Sequence, residues 1–309
     1  MLPQMFGAAA PGVTMSELGR AFALGSLLSS GYPWPHEGLP GYRLFWVLRD
    51  QVGFRDLPAR ADDYLIVGRH TCCDLVLPAD PQISLRHLLA RAQLLADGTV
   101  ALRLLDLHTH LPMFLEDGVP RRSIVATGAL VARVGSYVLG ALPFGQASKT
   151  ELGPYRSPPP YVVCEAQSIP RGGIPRITHI TSLPPAPGID AVALAQATEH
   201  DARITLGFRD RGTSVTVSPQ SLELGVLLGR APKCLDEGLQ NILHTGISRA
   251  HLLLLREGDA VQAFDLCSMQ GTYHEGARAR RVELAARGTR LELGAFEPVT
   301  FFWHSRTLH

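Results

Sequence analysis

A chain of 309 residues, 46% hydrophobic and 18% charged, carries enough apolar material for two ordinary domains and is not globally disordered. Its 29 basic against 28 acidic residues leave a formal net charge of +1, which excludes a broad nucleic-acid-binding face but leaves room for a small anion site. The five cysteines form no C-x-x-C pair, so neither a zinc ribbon nor a disulfide framework is indicated; with no export signal recognised, the expectation is a reduced, cytoplasmic protein.

In chain order, residues 1–38 form an N-terminal extension. Thr14 and Glu17 there have the spacing of a capping box, predicting a short helix over residues 15–28. Residues 39–143 are short apolar runs between turns, among them 44–48, YLIVGR (64–69) and ALRLLDL (101–107). The apolar stretch 124–142 carries Arg133 and three glycines, so it reads as two strands and not as a membrane span. His108 and His110 would share one face of a strand, but two ligands are too few for a metal site.

Residues 144–202 are Pro-rich, with RSPPPY and SLPPAPG, and read as a linker in which Asp190 caps a short helix. Residues 203–309 return to the strand pattern. Ile204, Leu206 and Phe208 alternate with Thr205, Gly207 and Arg209, and Leu222, Leu224, Val226 and Leu228 alternate with Glu223, Gly225 and Leu227.

The two strand-rich blocks match each other in order. YLIVGRHTCC pairs with GVLLGRAPKC, ISLRHLLARAQLLADG with ISRAHLLLLREGDA, RLLDLHTHLPMFLEDG with QAFDLCSMQGTYHEG, and TGALVARVGSYVL with RGTRLELGAFEPV. A duplicated domain of about 100 residues is the economical explanation.

The second block has Gly229-Arg230 at a strand end, then Ser248, Arg249 and His251 before an apolar strand, then Asp265, Leu266, Ser268, Gly271 and Thr272. In that order these resemble the forkhead-associated (FHA) family, and the two copies cover about two-thirds of the chain. The resemblance implies an all-β chain of two FHA-like β-sandwiches, each of about eleven strands, joined by the Pro-rich linker. It also implies that loops at one end bind a phosphothreonine peptide. Arg230 and Ser248 would contact phosphate and Arg249 would assist. Ser268, Met269 and Gln270 would line the peptide site. Gly229, His251, Asp265, Gly271 and Thr272 would brace it.

The chemistry is sound from first principles. A phosphothreonine brings nearly two negative charges and three acceptor oxygens. Arg230 offers a planar fork, Ser248 a hydroxyl and Arg249 a second cation. At roughly 1.5–3 kcal/mol per charge-assisted bond, two or three supply much of the about 8 kcal/mol of a micromolar affinity. Asp265 and Ser268 fit bracing of the turn as well as contact with ligand. The insertion at 233–246 fits recognition of flanking peptide residues or a plain surface loop.

Two departures stand out. Gln270 replaces the family's peptide-anchoring asparagine, and Met269 sits where Thr or Ser is usual. The first copy has lost more: Arg69, Ser84 and His87 remain, but Leu85 replaces the second cation, and Leu111, Pro112 and Met113 replace the Asn-Gly-Thr positions. No G-x-S-x-G elbow, P-loop or dinucleotide motif occurs. The expectation is a non-catalytic adaptor in Ser/Thr-kinase signalling. It would need no cofactor or metal. Its partner would be a threonine-phosphorylated protein or kinase, not nucleic acid or membrane. The alternative is a phosphate-independent scaffold using both copies.

Overall fold

The computed structural model describes residues 39–49, 51–115, 117–145, 202–231, 234 and 242–305. The helices expected at 15–28 and after Asp190, and nearly all of the Pro-rich segment, lie outside the described residues. The chain divides into two units, Met1–Gly173 and Ile174–His309. Each unit is a β-sandwich. Among the described residues no helix is long and apolar enough to cross a membrane.

The first unit has eleven described strands. They are β1 (Gly41–Leu48), β2 (Gln51–Pro58), β3 (Leu65–Gly68), β4 (Leu75–Val76), β5 (Leu88–Leu94), β6 (Val100–Asp106), β7 (Met113–Phe114), β8 (Pro120–Arg121), β9 (Ser123–Ala126), β10 (Leu130–Val134) and β11 (Tyr137–Phe144). One sheet runs β2-β1-β11-β10-β7-β8 and the other β4-β3-β5-β6-β9. All pairs are antiparallel except β3 with β4. Side chains from both sheets, such as Leu44, Trp46 and Leu139 from one and Val67, Leu88 and Leu102 from the other, fill a single core. Tyr42 reaches across it and donates its hydroxyl to the carbonyls of Val100 (3.1 Å) and Ala126 (3.2 Å). Burial pushes that phenol's pKa well above its usual value.

The run at 44–48 does not alternate because β1 is buried on both faces. Phe45 and Val47 join Val131, Val138 and Leu142 in a second apolar cluster on the opposite side of the sheet. The stretch 124–142 makes three strands instead of the two expected: the end of β9, then β10 and β11, with turns at Gly128 and at Gly135 (φ 56°). His108 and His110 are also placed differently from the expectation. Both lie in the loop after β6, His108 buried with φ 52° and His110 exposed, so no strand face presents them together. Among the described residues no group of three or more His, Cys, Asp or Glu could hold a metal ion.

The second unit has ten described strands and one helix. These are β12 (Ala202–Phe208), β13 (Arg211–Val217), α1 (Pro219–Leu224), β14 (Val226–Leu228), β15 (Leu252–Glu257), β16 (Ala260–Asp265), β17 (Thr272–His274), β18 (Ala277–Ala279), β19 (Arg281–Leu284), β20 (Thr289–Leu293) and β21 (Val299–Ser305). The sheets are β13-β12-β21-β20-β17-β18 and β14-β15-β16-β19. Apart from β4, the strand order repeats that of the first unit.

The period of two in β12 holds for Ile204 and Leu206, which are buried with Ala202 while the residues between them are partly or fully exposed; Phe208, expected on the same face, is only half-buried at the strand's end. The same period across 222–228 misleads. Residues Pro219–Leu224 are helical, and the strand is Val226–Leu228 alone. Ser218 caps the helix by accepting from the Ser221 amide (3.2 Å), Pro219 stands at its first turn, and Gly225 (φ 90°) ends it. The helix packs on β15. Leu252 to Leu255 are therefore all buried, facing the sandwich core on one side and α1 on the other.

Candidate functional site

At one end of the second unit three loops meet: 229–251 between β14 and β15, 266–271 between β16 and β17, and 294–298 between β20 and β21. The two ends of the first loop run side by side. The Arg230 amide donates to the Ser248 carbonyl (2.9 Å) and the Ala231 amide to the Arg249 carbonyl (3.0 Å). Gly229 makes this approach possible, since a Cβ there would overlap the Arg249 carbonyl oxygen and lie 2.8 Å from Ala250 Cα.

His251 is wholly buried and acts as the bracket. Its Nδ1 accepts the Ser248 amide (3.3 Å), so the proton sits on Nε2, which donates to the Gly271 carbonyl (3.1 Å). Its backbone amide donates to Leu228 and its carbonyl accepts from Leu266 (both 2.8 Å). One side chain and its peptide groups thus tie three segments together, leaving no role as a base.

Asp265 organises the second loop. Its carboxylate accepts the Ser268 amide (2.8 Å), the Ser268 hydroxyl (2.5 Å) and the Thr272 hydroxyl (2.8 Å). Ser268 and Thr272 are buried, so these bonds brace the turn, and Ser268 spends its hydroxyl proton on Asp265. Gly271 has φ 81°, a conformation open to glycine, and its carbonyl accepts from the Gly294 amide of the third loop (2.8 Å) as well as from His251.

The expected ligand-facing residues divide in two. Arg230 and Arg249 are exposed, and among the described residues neither pairs with a carboxylate. The Arg230 Nε donates to the Ile247 carbonyl (3.2 Å), which fixes the stem and leaves the fork's other nitrogens available. Ser248 is 8% exposed, and its hydroxyl accepts the Met269 amide (3.0 Å) while keeping its proton to donate. Met269 is 66% exposed beside it.

Gln270 is held differently. Its Oε1 accepts the Phe296 amide in a long bond (3.4 Å) and lies 3.1 Å from where a Cβ of Gly294 would be, while its Nε2 lies 3.2 Å from one on Gly246. The glutamine therefore links the second and third loops.

Sequence reasoning passed over four contributors. His244 accepts the Gly246 amide at Nδ1 (3.1 Å), donates from Nε2 to the Glu297 carbonyl (2.9 Å) and packs on Phe208 at 4.6 Å between ring centroids. Phe296 is 76% exposed beside Gln270. Arg278 lies over Gly271 and donates to the Ser268 carbonyl (3.3 Å). The Cys234 thiol donates to the Arg249 carbonyl (3.3 Å). Cys234 carried a visible signal, because it matches Cys73 in the repeat and Cys73 donates in the same way to the Leu85 carbonyl (3.1 Å).

The first unit builds the same frame. The Arg69 amide donates to Ser84 (3.0 Å), the Arg69 Nε to the Ile83 carbonyl (3.1 Å), the Ser84 amide to His87 Nδ1 (3.1 Å), and His87 Nε2 meets the Leu111 carbonyl (2.9 Å). Burial depresses the His87 pKa to about 4, so the imidazole stays neutral. Asp106 accepts the Thr109 amide (2.9 Å), as Asp265 does that of Ser268, and it pairs with Arg122. Burial outweighs the arginine and raises the Asp106 pKa to about 6. At the tip, Met113 is fully buried in the core.

No protein-family model and no curated protein matches the sequence. Solved structures of FHA domains match over about a third of the chain. Among them are Rv1747 FHA-1 of Mycobacterium tuberculosis (22% identity, 34% of this chain and 97% of that one, TM-score 0.26) and the FHA domain of CT664 protein from Chlamydia trachomatis (20%, 34% and 96%, TM-score 0.28). A third is the FHA domain of yeast Dun1, solved with a doubly phosphorylated peptide derived from Rad53 (13%, 41% and 90%, TM-score 0.29). At these scores, what the site can do rests on the chain's own residues.

Proposed function

We propose that this chain is a non-catalytic adaptor whose second unit, an FHA-like domain, binds a threonine-phosphorylated protein. The first unit, in this reading, is a tandem copy that has lost the binding chemistry. The carrying observation is the pair of exposed guanidiniums, Arg230 and Arg249, on adjoining loop segments either side of a serine whose hydroxyl proton is uncommitted. A phosphate dianion offers three acceptor oxygens to such a donor set. Around the donors the loops are pinned by His251 and Asp265, so little is lost in ordering them when a ligand arrives.

The test is titration of the full chain with a phosphothreonine peptide library against its unphosphorylated twin. Binding that needs the phosphate and falls on Arg230→Ala supports the reading; binding to neither, or indifference to Arg230→Ala, defeats it.

A second reading draws on the first unit, whose bracing bonds persist while Leu85, Leu111, Pro112 and Met113 stand at the positions of Arg249, Gln270, Gly271 and Thr272. Such a frame without its donors suits phosphate-independent contacts with a partner. Partner capture that survives phosphatase treatment, yet is lost on altering the first unit, would favour it.

A further inference from the structure

We propose that Arg278 is a specificity residue of the second unit's site, selecting phosphothreonine peptides that carry a second anionic group near the phosphothreonine; this rests on the reading above. Arg278 stands on β18 opposite Tyr273 of β17, and its stem is laid across Gly271. A Cβ on Gly271 would come within 2.6 Å of Arg278 Nε, so the glycine supplies the room. One Nη2 contact, to the Ser268 carbonyl at 3.3 Å, fixes the guanidinium against the same loop that presents Met269 and Gln270. The side chain is exposed, and among the described residues no carboxylate pairs with it.

The neighbouring amide makes the consequence specific. Gln270 has its carbonyl oxygen on the Phe296 amide and beside Gly294, and its Nε2 against Gly246. Its acceptor is thus turned toward the third loop. The guanidinium beside it offers donors and no acceptor. A peptide crossing this loop therefore meets a cation able to bind a carboxylate or phosphate in a bidentate manner and unable to receive a peptide N–H.

The first unit shows the arrangement lost as a pair. Its strand register puts Pro120 opposite Phe114, as Arg278 is opposite Tyr273, and Pro112 stands at the position of Gly271. Neither the arginine nor the glycine stands at those positions there.

The experiment titrates the full chain with three phosphothreonine peptide pools that differ at the flanking positions, carrying glutamate, its neutral isostere glutamine, or phosphoserine. The glutamate or phosphoserine pool, or both, should bind about tenfold more tightly than the glutamine pool. Arg278→Gln should remove that preference, bringing the glutamate and phosphoserine pools to within about twofold of the glutamine pool. Arg278→Lys should keep part of it, since the charge remains without the fork. Glutamate against phosphoserine identifies which anion is preferred. Equal wild-type affinity for all three pools overturns the inference while leaving the proposed function standing. So does an equal loss on all pools in Arg278→Gln, which would mark the residue as a brace of the loop. Binding of no pool at all defeats the proposed function itself.

Discussion

At the scale of single residues, the two units share their bracing. His87 and His251 each accept a serine amide at Nδ1 and meet a loop carbonyl at Nε2, so an imidazole that invites a catalytic reading is a structural bracket in each unit. Removing Arg230 with Arg230→Ala takes away two prospective charge-assisted bonds and only one internal bond. Calorimetric titration should show phosphopeptide affinity falling by about 100-fold or more, with the midpoint of thermal unfolding moving by no more than about two degrees. His87 gives a pH signature. Its folded pKa of about 4 lies below its ordinary 6.5, so between those values the unfolded chain binds the extra proton and acidification removes stability. Asp106, raised to about 6, acts in the opposite sense between its ordinary 3.8 and 6. Comparison with His87→Gln isolates the histidine. The stability difference between wild type and variant, from urea unfolding, should shrink by about 3 kcal/mol from pH 7 to pH 4.

At the scale of elements, the site is made by loops that the strands deliver to one end of the sandwich. Asp265 closes β16 and holds the next loop by three bonds. Asp265→Ala leaves two buried hydroxyls and an amide without that acceptor. Urea unfolding should show about 2–4 kcal/mol lost, and peptide titration a weaker complex, because Met269 and Gln270 are presented by the same turn. Gly229→Ala pushes apart the paired ends of the β14–β15 loop, since its Cβ has nowhere to go but into Arg249 and Ala250. It should weaken phosphopeptide binding even though no ligand-facing side chain is changed, read by the same titration alongside circular dichroism of the folded chain. The helix α1 carries a related lesson. Ser218, Pro219 and Gly225 are start and stop signals for a helix, and they prevailed over an apparent period of two in the leucines.

At the scale of the whole molecule, two units share one strand order and differ at the tip. Titration of the full chain should saturate at about one phosphothreonine peptide per chain, unchanged by Arg69→Ala; two equal sites would overturn the assignment of a single reader. Affinity should weaken below about pH 6, as the phosphate regains its second proton, and should fall with added salt because the cations involved are exposed.

Much of this was legible in the sequence. The ordered repeat named two similar units, and local signals placed β12, β15 and the glycine-arginine and serine-histidine pairs. Such features depend on neighbours in the chain: alternation, a turn residue, a run of apolar side chains. What the tertiary structure decided depends on neighbours in space. The number of strands in 124–142, the loop position of His108 and the two-sided burial of β1 and β15 follow from which surfaces lie above and below. The commitment of Gln270 to Phe296, the seating of Arg278 over Gly271 and the bracing role of Ser268 join residues up to 26 positions apart. A side chain's chemistry is written in its type. Whether its donors are free or already used is set by what the fold brings against it.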